Sequence, residues 1–117
     1  MNYIPNTKRH IIELLQLLAS EQKQLDYEKS VPIADVPAEL LCMWFDDLYY
    51  PGSIEAQFDS SEAATLARFN AFYGVERKKL PPGFGTIRTW LANPTWRKIM
   101  AAADEALKEI CGKRDSD

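Results

Sequence analysis

The sequence predicts an all-α fold, a single-domain bundle of about five helices. Three observations carry that expectation. Apolar residues recur at three- and four-residue spacing through most of the chain, the period of a helix with one buried face. Prolines and glycines fall between those stretches and so punctuate them. The length of 117 residues, with 46% hydrophobic and 26% charged residues, is that of one globular domain with a core to bury. We expect residues 1–117 to form that one domain, with 112–117 as a frayed tail.

The first helix is expected over Lys8 to Tyr27. Ile11, Leu14, Leu15, Leu18 and Leu25 lie on one face, and Asn6 or Thr7 offers a side-chain oxygen as N-cap. Ser30 to Val36 reads as an extended connector, with a short edge strand at Val31 to Ile33 as an option. The second helix starts near Pro37, whose fixed φ suits a first turn, and runs through Leu40, Leu41, Trp44, Phe45 and Leu48 to stop before Pro51-Gly52.

The third helix begins at Asp59 or Ser60. Asp59 with Glu62 fits a capping box, and Phe58 with Ala63 a hydrophobic staple. Leu66, Phe69 and Tyr73 share its face, and Gly74 interrupts or ends it. Leu80 to Gly85 is loop, with Phe84 tucked into the core. Thr86 to Ala92 is a short helix burying Ile87, Trp90 and Leu91. The last helix has Asn93 as N-cap, Pro94 in the first turn and Gly112 as its stop. Trp96, Ile99, Met100, Ala103, Leu107 and Ile110 form its buried stripe.

Charge is distributed unevenly. From Ser30 to Ala67 there is no Lys or Arg, against seven acids: Asp35, Glu39, Asp46, Asp47, Glu55, Asp59 and Glu62. From Arg68 to Lys98 seven bases (Arg68, Arg77, Lys78, Lys79, Arg88, Arg97, Lys98) face Glu76 alone. On an α-helical projection of the second helix, Leu41, Trp44, Phe45 and Leu48 point inward. Glu39, Met43, Asp46 and Tyr50 then lie on the opposite side, with Asp47 on its flank. Carboxylates alternating with a tyrosine and a methionine suit a basic protein partner: the acids steer and fix register, and Tyr50 and Met43 supply apolar contact. The bland alternative has Tyr50 folded under the turn, Met43 plugging a gap, and the acids paired with the basic block that follows.

Other chemistries find little purchase. His10 with Glu13 lacks the further ligands that a metal needs, and we expect no metal and no cofactor. Cys42 and Cys111 read as packing thiols of a reducing compartment. Gly83-Phe84-Gly85 lacks the strand that precedes a phosphate-binding glycine loop. Asp46 and Asp47, adjacent on a helix, diverge by about 100° and make no catalytic pair alone. Catalysis is therefore not expected. The bases of 68–98, interleaved with Phe72, Phe84, Trp90 and Trp96, leave a small nucleic-acid-binding regulator as the second reading. No apolar run reaches the roughly 20 residues of a membrane span, and the first ten residues lack a signal-peptide core, so a cytoplasmic protein is expected.

The segment Val36-Pro37-Ala38-Glu39-Leu40-Leu41-Cys42-Met43-Trp44-Phe45-Asp46-Asp47-Leu48-Tyr49-Tyr50-Pro51, followed by Phe58 to Phe72 and the late Trp96 helix, resembles small bacterial immunity proteins of contact-dependent growth inhibition and related polymorphic toxin systems. Separately, Asp47-Leu48-Tyr49-Tyr50-Pro51 is similar to the paired-tyrosine segment of colicin nuclease immunity proteins. The resemblance implies a cytoplasmic inhibitor that binds a cognate toxin domain, often a basic nuclease. It carries over Glu39, Asp46, Asp47, Tyr49 and Tyr50 as partner-binding residues; the charge map adds Met43, Glu55 and Asp59.

Overall fold

The computed structural model describes residues 7–31, 36–80 and 86–115, and every regular element among them is helical. In chain order these are α1 (Thr7–Ala19), α2 (Glu21–Ser30), α3 (Val36–Cys42), a π-helix (Met43–Leu48), α4 (Pro51–Gln57), α5 (Ser60–Glu76), a 3₁₀ turn (Arg77–Lys79), α6 (Ile87–Leu91) and α7 (Pro94–Asp115). The all-α bundle expected from the sequence is the observed architecture. The optional strand over 31–33 is absent at Val31, which is a bend; residues 32–35 lie outside the described residues, as do Asn6 and Phe84.

The long α7 is the axis of the bundle, packing most extensively against α1 and α5. Its Trp96, Ile99, Met100, Ala103, Ala106 and Ile110 are buried, as are Ile11, Leu14, Leu15 and Leu18 of α1. Each set recurs at i, i+3, i+4, so burial of one face drives both helices. Leu107, expected in the α7 stripe, is only half-buried at its edge.

The single helix expected over 8–27 is two. Ser20 adopts an extended conformation and its side chain accepts the Lys23 amide, starting α2 afresh. The break redirects Gln24 inward. Its side chain donates to the Leu18 carbonyl at 2.9 Å, freed by the end of α1, and accepts from Trp96 Nε1 at 3.0 Å. One fully buried amide thus ties α1, α2 and α7 together.

Helix starts are also secured from a distance. The Lys8 amide donates to Gln57 Oε1 at 2.9 Å, and the Ile87 amide donates to Glu28 Oε2 at 2.9 Å. At α5 the expected capping box is present: Glu62 N donates to Asp59 Oδ1 at 2.7 Å and Asp59 N donates to Glu62 Oε1 at 3.0 Å. Thr86 caps α6, accepting from Thr89 N, and Asn93 caps α7, accepting from Thr95 N at 2.8 Å.

Two expected stops do not stop. Gly74 lies inside α5, where a Cβ would meet nothing within 4 Å, and the helix continues to Glu76 before tightening into the 3₁₀ turn. Likewise α7 passes through Gly112 to Asp115, so the frayed tail expected from 112 is helical over its first residues. A glycine lowers helix propensity by about 1 kcal/mol, which a helix already docked along its apolar face absorbs.

Pro51, expected as a terminator, instead opens α4 at its first turn, with Tyr50 extended before it. That helix was not foreseen. It buries Ile54, and the following Phe58 is buried at its end.

Candidate functional site

The acidic segment is organised by a change of helical pitch. α3 gives way after Cys42 to a six-residue π-helix, in which the Tyr49 amide donates to the Trp44 carbonyl at 3.0 Å. Bonding to the fifth residue back brings Met43 and Leu48 to the same side. Together with Leu14 and Leu17 of α1 they line an apolar groove of about 360 Å³, rimmed by His10 and Glu13.

This corrects the α-helical projection. Met43 does not share a face with Tyr50; it is half-buried and packs on the core. Leu48, expected inward beside Trp44, joins Met43 at the groove. Trp44 is fully buried, its Nε1 donating to Asn70 Oδ1 at 3.0 Å and so fastening the π-helix to α5. Phe45 packs against Tyr73 at a centroid distance of 4.9 Å, and the Arg77 guanidinium lies over the Phe45 ring at 4.3 Å.

The two tyrosines diverge at the end of this segment. Tyr49 turns in and stacks on Trp44, with ring centroids 5.3 Å apart and planes at 21°. Burial, and then the nearby Glu55 carboxylate, raise its hydroxyl above the ordinary tyrosine range. Tyr50 turns out and is 51% exposed at the N-terminus of α4. Glu55 lies just beyond the first turn of that helix and is exposed, so Tyr49, Tyr50 and Glu55 gather where the π-helix meets α4.

The remaining candidates separate. Glu39 is half-buried on α3. Asp59 is exposed but holds the α5 capping box, a structural duty. Asp46 and Asp47 lie on the π-helix; their side chains are outside the described residues. Cys42, expected to pack inside, is exposed, whereas Cys111 is half-buried against the core.

The ion pairs bear on whether the acids are paired with the basic block. Among the described residues, Arg68 pairs with Glu109 at 2.9 Å, Lys79 with Glu76 at 3.0 Å and Arg97 with Glu21 at 3.1 Å. None of these carboxylates belongs to the segment between Ser30 and Ala67. Within that segment Glu62 meets a base, Lys8 at 3.9 Å, and neither Glu39 nor Glu55 forms an ion pair among the described residues. Among the described residues, then, the basic block forms its ion pairs outside the acidic segment. Its own charges are largely spoken for, since Arg97 also donates to the Leu91 carbonyl at 2.7 Å and Arg77 sits over Phe45. Lys78, Arg88 and Lys98 remain exposed, on three different elements. Trp90 and Trp96 are buried in edge-to-face contact at 4.7 Å, not available for stacking on bases.

Among the described residues no three His, Cys, Asp or Glu side chains converge as a metal site, and no helix is long and apolar enough to cross a membrane. Compared with known family models, curated proteins and solved structures, the chain matches none.

Proposed function

We propose that this chain is an immunity-type inhibitor that binds and neutralises a cognate toxin domain carrying a basic surface, such as a nuclease. The carrying observation is the exposed Tyr50 in the middle of a base-free segment whose Glu39 and Glu55 form no ion pair among the described residues. Carboxylates without internal partners steer a cationic protein and set its orientation. A half-exposed tyrosine supplies rigid amphipathic area at the centre of such a contact. The groove formed by Met43, Leu48, Leu14 and Leu17 adds an apolar recess on the same segment. Against a nuclease, the acids would occupy ground that the enzyme offers to phosphates. Residues Tyr50, Glu55, Glu39, Asp46 and Asp47 carry contact and charge in this reading, Tyr49 supports Tyr50 from behind, and Asp59 holds α5 in place.

The test is protection. If a secreted protein with a variable C-terminal domain is encoded beside this chain, that domain expressed alone arrests growth, and co-expression of the wild-type chain relieves the arrest. A Tyr50→Ala, Glu55→Lys double variant that accumulates to the same level fails to protect. Full protection by that variant refutes the assigned surface.

A further inference from the structure

α5 and α7 run antiparallel. Thr65 Oγ1 donates to Glu109 Oε1 at 2.8 Å at one end of the pair, and the Tyr73 and Trp96 rings lie 6.5 Å apart towards the other. Between them is an open groove of about 240 Å³ floored by Phe69, Phe72, Ala102 and Ala106. Val75, one turn beyond Phe72 on α5, is 58% exposed, the more exposed of the two large exposed apolar residues described.

On α7, Lys98, Ala102 and Glu105 follow one another at i, i+4 and i+7 and so share the face beside this groove. Lys98 and Glu105 are both exposed, and neither forms an ion pair among the described residues; Lys108 is paired with Asp104 at 3.1 Å and feels Glu105 only through its field. The two opposite charges are about 10 Å apart along the axis, with Ala101 and Ala102 between them on that face.

This face is complementary to itself. A second α7 laid antiparallel about a two-fold axis through the alanines sets its Glu105 against Lys98 and its Lys98 against Glu105. The alanines let the helices approach closely, and Phe72 and Val75 of each copy cover the flanks. A parallel arrangement would oppose like charges. A uniformly basic partner, as proposed above for the Tyr50 surface, would meet Lys98 here with repulsion. We propose that the α5–α7 groove is the docking face for a second copy of this chain, giving a weak two-fold dimer independent of the Tyr50 surface.

Sedimentation velocity from micromolar to millimolar concentration tests it. The wild-type mass rises from 13.4 kDa toward twice that value as concentration increases. Val75→Glu remains monomeric throughout. Lys98→Glu and Glu105→Lys each weaken association by about tenfold, and the double swap recovers it to within about threefold of wild type. All three substitutions are at exposed positions, and circular dichroism verifies that helicity is kept. A wild-type chain that stays monomeric at every concentration overturns the proposal. So does a dimer that Val75→Glu leaves intact, or a double swap as weak as the two single variants.

Discussion

The Tyr49 amide donates to the carbonyl of Trp44, five residues earlier, at 3.0 Å. This bond marks the π-turn that sets the layout of the acidic segment. π-Helices are rare and concentrate at functional sites, because the wider turn re-aims side chains that an α-helix would direct elsewhere. Here it sends Met43 and Leu48 to one groove, stacks Tyr49 on Trp44 and leaves Tyr50 outside.

The two residues that an α-helical projection places together, Met43 and Tyr50, should therefore behave oppositely. Met43→Ala removes packing against the core and is expected to cost about 1–2 kcal/mol, less than a fully buried site because Met43 is half-exposed. Tyr50→Ala is expected to change stability by no more than about 0.5 kcal/mol. Urea unfolding of both variants checks the contrast; equal losses would return the two side chains to a shared environment.

Tyr73 is fully buried and its hydroxyl has no hydrogen-bond partner among the described residues. A buried hydroxyl without a partner is a cost, so Tyr73→Phe is expected to raise stability by about 1 kcal/mol. Burial, the dominant effect, holds the phenol protonated far above its usual 10.0, with Arg77 pulling weakly the other way. Above pH 10 the unfolded chain releases this proton while the folded chain keeps it, so the unfolded state binds fewer protons. Stability then falls as pH rises, by up to about 1.4 kcal/mol per pH unit for this group. The phenylalanine variant should show a shallower alkaline decline in thermal melts. Parallel curves for the two proteins would contradict it.

Gln24 is the polar tie of the core, holding Leu18 and Trp96. Gln24→Leu leaves a buried carbonyl and a buried indole N–H unpaired, an expected loss of about 2–4 kcal/mol. Combining it with Trp96→Phe should be less than additive, since the second change removes one orphaned group. A double-mutant cycle by denaturant unfolding measures the coupling.

Asp59 separates structure from binding. Asp59→Ala is expected to cost about 1 kcal/mol through loss of the capping box, whereas Asp59→Ser, which keeps an oxygen for the Glu62 amide, should retain most of that stability. Near-equal melting temperatures for the two variants would show that the cap contributes little.

Much of this was legible in residue order, because it depended on local rules. The Asp59–Glu62 box, the Thr86 and Asn93 caps, and the α7 stripe from Trp96 to Ile110 need only short-range spacing and hydrogen-bond chemistry. The failures were places where tertiary packing outweighs a local signal. Gly74 and Gly112 stay helical because their helices are docked, and Ser20 breaks α1 from α2 because Gln24 gains two buried partners there. Pro51 carried two meanings, stop and start, and only the extended Tyr50 before it selects the second. The π-turn had no signature in spacing, since Trp44 is held by Asn70, far along the chain. Within the candidate site, the exposure of Tyr50 agrees with the docking reading, the inward position of Met43 agrees with its bland alternative, and the exposure of Cys42 was not expected.

The central claim is that the segment around Tyr50 and Glu55 meets a cationic protein. Its most direct test is the kinetics of association with the basic toxin domain that the proposal expects to be encoded beside this chain, measured by surface plasmon resonance at low and at physiological salt. Glu55→Lys should slow association by about tenfold at low salt and much less at high salt, and Tyr50→Ala should speed dissociation by about tenfold or more. Wild-type rates for both variants at both salt concentrations, with binding intact, would contradict the claim.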